Sequence, residues 1–88
     1  MAGNAQYWLG ETYFSASQFE KAAKTFGLGY EKYSTHEKAP DNLFKLGVTF
    51  VKMKELEKAC QVFSIFEGNY PNMMAKRIAI EKKNAKCQ

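Results

Sequence analysis

Apolar residues along this 88-residue chain recur every three or four positions rather than every second one, which predicts helices throughout. Tyr7, Leu9, Gly10, Tyr13 and Phe14 mark one amphipathic helix over about residues 5–15. Ser17-Gln18-Phe19-Glu20 has the S-x-x-E form of a capping box, in which the serine and the glutamate each satisfy a free backbone N–H. It opens a second helix, about 18–33, with Phe19, Ala22, Ala23, Phe26 and Tyr30 on one face. Pro40 suits the first turn of a third helix that runs to about Met53, because a proline's missing N–H has no helical partner there. Glu55 to Asn69 makes a fourth helix, which Pro71 ends. Asn72 is placed to cap a fifth, from about Met73 to Lys86.

The pattern repeats. Shifted by 37 residues, Leu9-Gly10 falls on Leu46-Gly47, Thr12 on Thr49, Glu20-Lys21-Ala22 on Glu57-Lys58-Ala59, Phe26 on Phe63 and Tyr33 on Tyr70. Tyr7 pairs with Phe44, Tyr13 with Phe50, Phe19 with Leu56 and Leu28 with Ile65. A glycine inside a helix costs about 1 kcal/mol against alanine, so one that repeats needs a packing reason. Gly10 and Gly47, with Ala22 and Ala59, are predicted to let helices approach closely while the aromatic residues fill the neighbouring gaps. Gly27 has no such counterpart and no reason visible in the sequence. The chain then divides into a first unit at about 4–36, a second at about 40–71 and a closing helix at about 73–86.

Composition narrows the function. The chain is 45% apolar and 25% charged, an ordinary globular balance with nothing low-complexity in it. No apolar run approaches the roughly 20 residues of a membrane span, so direct membrane insertion is not expected. Met1-Ala2-Gly3-Asn4 leads straight into folded-looking sequence with no signal peptide, and reads as a fragment boundary. The net charge of +4 is mild; its one concentration, Lys76, Arg77, Lys82, Lys83 and Lys86, suits the end of a final helix better than a nucleic-acid stripe. His36 lies in a loop without a nucleophile or metal-ligand spacing, and Gly27-x-Gly29 does not follow a strand, so no catalytic site, metal or cofactor is expected. Met73, Met74, Ile78 and Ile80 read as core and cap. Cys60 and Cys87 form no metal-binding pattern and read as two separate thiols in preference to a disulfide.

Leu9-Gly10-x-x-Tyr13 with Ala22-x-x-x-Phe26, repeated as Leu46-Gly47-x-x-Phe50 with Ala59-x-x-x-Phe63 and Pro71, resembles the tetratricopeptide signature. Gln6 and Leu43 stand at its tryptophan position, Ser34 replaces the first unit's proline, and Ser17 and Lys54 stand where glycine is common. The spacing of 37 exceeds the usual period of about 34, which implies a longer loop around Thr35-His36-Glu37. The resemblance implies an all-α fold, two helical hairpins and a capping helix in a right-handed superhelical stack, serving as a non-catalytic protein-interaction module. A narrower likeness rests on Asn4-Ala5-Gln6-Tyr7-Trp8-Leu9-Gly10-Glu11-Thr12-Tyr13, Lys38-Ala39-Pro40-Asp41, Lys45-Leu46-Gly47 and Tyr70-Pro71-Asn72 followed by Ala75-Lys76-Arg77. These residues resemble the C-terminal domain of the Tol-Pal accessory proteins, the YbgF/CpoB family of cell division coordinators. Members usually carry a signal peptide and a trimerising coiled coil, both missing from this chain. The likeness implies a periplasmic adaptor that binds TolA and couples outer-membrane constriction to septal peptidoglycan synthesis.

In such a stack the first helix of each hairpin lines a concave groove. Carried over position by position, the groove consists of Asn4, Tyr7, Glu11, Phe14 and Ser15 from the first unit and Asp41, Phe44, Val48, Val51 and Lys52 from the second. Aromatic area with a few polar anchors suits a helix or strand of a protein partner. Tyr7, Phe14 and Phe44 serve equally well as packing against the next helix, and Glu11 and Lys52 as solvated residues. The alternative to an adaptor is a self-associating helical module with no dedicated groove, since the end faces of so short a stack invite pairing into a homo-oligomer. Nucleic-acid binding ranks below both.

Overall fold

The computed structural model describes residues 2–87. Five helices follow in order, α1 Ala2–Ser15, α2 Phe19–Lys32, α3 Ala39–Lys52, α4 Leu56–Asn69 and α5 Ala75–Asn84, with no strand among the described residues. Helices α1 and α2 make one hairpin, α3 and α4 a second, and α5 lies across α3 and α4. The architecture is the all-α helical-repeat stack that the sequence pattern predicts.

The repeated small residues mark where the helices meet. A β-carbon on Gly10 would stand 2.5 Å from the ring of Phe26, and one on Gly47 would collide with the ring of Phe63. Ala22, Phe26, Ala59 and Phe63 are fully buried beside these contacts. Each glycine thus lets an aromatic ring of the partner helix lie against helical backbone, a close approach that offsets the glycine's poor propensity. Gly29 plays the same part between hairpins, because a β-carbon there would sit 2.8 Å from the side chain of Asn42 in α3. Gly27 does not: its β-carbon would meet only Leu46, at an ordinary 3.9 Å.

The capping box is not formed. Ser17 adopts a left-handed backbone with φ of 59°, Gln18 occupies the N-cap, and no side chain caps α2. Gln18 N–H instead donates to Tyr13 O at 2.9 Å and Ser17 N–H to Phe14 O at 2.9 Å, the paired bonds of a Schellman turn closing α1. Lys54, with φ of 62°, closes α3 in the same way, Glu55 N–H donating to Phe50 O at 2.9 Å. These positions require a left-handed residue, and serine and lysine fill them at some backbone strain. Lys86, with φ of 59°, closes α5 likewise.

Two further expectations are corrected. Asn72 does not cap α5; it and Met74 are left-handed, at φ of 71° and 53°, so the chain turns twice more and the helix starts at Ala75. Cys60 and Cys87 are not separate thiols but a disulfide joining α4 to the residues after α5, with a Cα–Cα distance of 5.6 Å. Packing brings them together, since α5 buries Ile78 and Ala85 in the cluster formed by Leu43, Phe44, Phe63 and Phe66. The longer loop holds its shape through His36, whose Nδ1 accepts from Lys38 N–H at 3.0 Å and whose carbonyl accepts from Ala39 N–H at 2.9 Å.

Candidate protein-binding groove

The first helices α1 and α3 and the last helix α5 meet along one side of the stack. Between them lies an open cavity of about 440 Å³, lined by Phe14 of α1, by Phe44, Lys45, Val48 and Lys52 of α3, and by Arg77, Ile80 and Glu81 of α5. Of the predicted groove residues, Phe14, Phe44, Val48 and Lys52 therefore come together here.

The floor is built from rings and cations. Lys45 Nζ stands 4.0 Å from the centroid of Phe14 and 3.0 Å from Glu11 Oε1, off the hydrogen-bonding direction, so the ion pair is a charge contact. Both side chains are half-buried, and Glu11 is not the solvated residue expected of it. This pair joins α1 to α3 and fixes Phe14 at the mouth. Phe14 also packs edge-on against Phe19 at 5.4 Å. Arg77 lies 4.5 Å over the ring of Phe44, a cation–π contact made as α5 folds down.

Burial separates groove wall from core. Phe44 is 4% exposed and packs against Phe63 and Phe66, each at 6.3 Å, so it belongs to the core and not to the free surface of the groove. Helix α5 is the reason, because it covers the inner side of the second hairpin. Val51 is half-buried against the same core. Lys52 and Ser15 are exposed.

Tyr7, Asn4 and Asp41 do not line this cavity. The ring of Tyr7 packs on Trp8 at 5.2 Å and on Phe26 at 5.9 Å, and Lys38 Nζ sits 5.0 Å from its centroid. Burial, and then the negative charges of Glu11 and Asp41, hold its phenol above the ordinary value, against a smaller opposing effect of Arg77. Asn4 is half-buried, with Oδ1 lacking a partner.

Lys45, Arg77, Ile80 and Glu81 were not foreseen. Arg77, Ile80 and Glu81 lie at i, i+3 and i+4 and so share one helix face; that spacing was the available signal. A larger cleft of about 770 Å³ opens between α2 and the second hairpin, over Gly27, Leu28, Leu46, Phe50 and Met53. Among the described residues no cluster of histidine, cysteine, aspartate or glutamate is arranged to hold a metal. No helix of the structure is long and apolar enough to cross a membrane.

Comparison with known families matches the tetratricopeptide repeat twice, over residues 4–33 and 41–72. The chain belongs to the tetratricopeptide repeat family. The two matched segments begin 37 residues apart, 41 − 4, the period read from the sequence. Each takes in one hairpin, and α5 lies beyond the second. Tetratricopeptide repeats generally mediate protein–protein interactions, which agrees with an open groove of rings and cations. No curated protein matches the chain.

Proposed function

We propose that this tetratricopeptide domain is a periplasmic adaptor whose α1–α3–α5 groove receives a segment of an envelope protein of the TolA type. It would thereby help to couple outer-membrane constriction to septal peptidoglycan synthesis. The single observation that carries the binding reading is the groove itself, in which Phe14, Val48 and Ile80 offer apolar surface beside Lys45, Lys52 and Arg77. The partner and its setting rest on the resemblance to the Tol-Pal accessory proteins. The Cys60–Cys87 disulfide supports the same setting, because such bonds persist in oxidising compartments that include the bacterial periplasm. An apolar segment with an acidic residue toward Lys52 and Arg77, clear of Glu81, fits the lining.

Titration of a purified TolA-type segment, beside thermal melts of each variant, tests the proposal. Phe14→Ala and Val48→Ala are each expected to weaken binding by about 1–2 kcal/mol, since anchors near the centre of a small interface carry most of the affinity. Lys52→Ala should matter less, and its effect should fade as salt rises. Phe44→Ala is no test, because it would remove a core ring. Unchanged binding in a folded Phe14→Ala, Val48→Ala double variant would overturn the groove.

A further inference from the structure

The outer cleft of the stack occurs twice. Glu20, Ala23 and Gly27 of α2 line the larger cleft, and their counterparts 37 residues on, Glu57, Cys60 and Ser64 of α4, line a cavity of about 520 Å³. The facing sides differ. Against α2, α3 brings Leu46, Phe50 and Met53, which seal the junction with apolar surface. Against α4, α5 and the residues after it bring Lys82 and Lys86. Where the first junction has packing, the second has lysines and the Cys60–Cys87 bond.

Helix α5 has little else to hold it. Its 10 residues fall short of the roughly 12–15 at which a helix becomes marginal on its own. Met74 at its N-cap is left-handed and makes no side-chain cap. Among the described residues of α5, Ile78 alone is buried, with Ala85 buried just beyond. Its polar ties are Lys82 with Glu67 at 3.0 Å and Arg77 over the ring of Phe44. The first is a surface ion pair, which contributes little.

The bond is also within reach of solvent. Cys60 and Cys87 are both half-buried and both line the 520 Å³ cavity, whereas Ala23, at the place of Cys60 in the first hairpin, is buried. Exposed disulfides are the labile ones.

We infer that Cys60–Cys87 is an exchangeable bond whose state sets whether α5 is docked, and so whether the groove keeps its second wall. The reductant is a dithiol. Its thiolate bonds to one Sγ, and the other Sγ departs as a thiolate and takes up a proton. The second thiol then resolves the mixed disulfide, so two electrons and two protons pass to the chain and the dithiol leaves as a disulfide. With the bond open, Arg77, Ile80 and Glu81 leave the groove on α5, and Phe44 loses its cover. Phe14 and Val48 stay behind on the hairpins. The effect on partner binding rests on the groove reading proposed above.

Thiol labelling of the native chain in dithiothreitol reads the exchange, whose rate should lie within about tenfold of that in denaturant. Amide hydrogen exchange of the oxidised and reduced chains reads the docking. On reduction the α5 amides should exchange at least about tenfold faster while those of α2 and α3 keep their protection. The Cys60→Ser, Cys87→Ser double variant should match the reduced chain and ignore dithiothreitol. A TolA-type segment should bind the oxidised chain at least about tenfold tighter than the reduced one. A bond that yields only in denaturant, an α5 equally protected in both states, protection lost along the whole chain at once, or equal binding by both states would each overturn the inference. A segment that binds neither state sinks the proposed partner instead, and hydrogen exchange still decides whether the bond docks α5.

Discussion

The first and last helices occupy opposite edges of the stack and are finished differently. At the near edge α1 shows Trp8 and Leu9 to solvent and carries one charge, which is turned inward. At the far edge α5 buries Ile78, with Ala85 buried just beyond it, keeps Lys76 and Lys83 in solvent beside an exposed Ile80, and is tied to α4 by Cys60–Cys87. Repeat stacks need a polar outer face at each terminus to stay soluble as single units. Helix α5 turns lysines to solvent beside Ile80, whereas α1 turns no charge outward beside Trp8 and Leu9. The hairpins themselves are near copies: Gly10 against Phe26 matches Gly47 against Phe63, and the Ser17 turn matches the Lys54 turn. Position in the stack, more than repeat sequence, separates the two edges.

The contrast can be strained by placing the same change in both hairpins. Gly47→Leu drives a side chain into the ring of Phe63 inside a helix packed on both sides. The expected loss is at or beyond the top of about 1–3 kcal/mol for overpacking, enough to unfold a domain of this size. Gly10→Leu makes the same clash with Phe26, but α1 can tilt away on its open side, so the loss should be smaller. Thermal melts followed by circular dichroism give the order; equal losses would mean that the edge helix is held as firmly as the inner one.

The next effect belongs to the far edge. Cys60→Ser with Cys87→Ser releases a link spanning 27 residues, and the expected loss is about 3 kcal/mol. Reduction of the wild-type chain should lower its melting temperature by a similar amount and leave the double variant unmoved. A melt insensitive to reductant would show that Ile78 and Ala85 hold α5 without the bond.

The smallest effect is a gain. A β-carbon on Gly27 meets nothing closer than 3.9 Å, so Gly27→Ala should raise stability by about 1 kcal/mol through helix propensity alone. Gly29→Ala, two residues along the same helix, should lower it, because Asn42 stands in the way. Denaturant titration of the pair decides this. A loss at Gly27 would mean that α2 and α3 lie closer than they appear to.

Periodicity and the repeat made the five helices, the hairpins and the two close glycines legible, because each is written in local spacing. Ser17 carries two signals, the S-x-x-E pattern and its place where glycine is common, and the backbone follows the second. Its partner at the 37-residue offset is Lys54, which cannot cap a helix, so the shared property is the left-handed turn and not the hydroxyl. The late start of α5 depended on backbone angles at Asn72 and Met74 that residue type signals weakly. The disulfide and the burial of Phe44 share one cause. Both follow from where α5 lands on α3 and α4, a long-range outcome that the spacing of Cys60 and Cys87 does not encode. Four residues carried over from the resemblance, Phe14, Phe44, Val48 and Lys52, line one cavity, and the wall supplied by α5 escaped the sequence for the same reason.

The bond between Cys60 and Cys87 also gives the molecule a direction in which to come apart. Residues 60–87 form a closed covalent ring, so the last hairpin's second helix and α5 separate only as far as that ring allows. Among the described residues no covalent link restrains α1, whose cross-hairpin ties are the contacts of Glu11 and Phe14 with Lys45 and of Tyr7 with Lys38. Fluctuation in a linear stack starts where neighbours are fewest and spreads inward. Separation of α5 from α4 is limited by a covalent link, whereas α1 is held by packing alone. Because Phe14 rides on α1 while Arg77 and Ile80 ride on α5, the groove has one jaw held by packing and one jaw tied by a covalent bond.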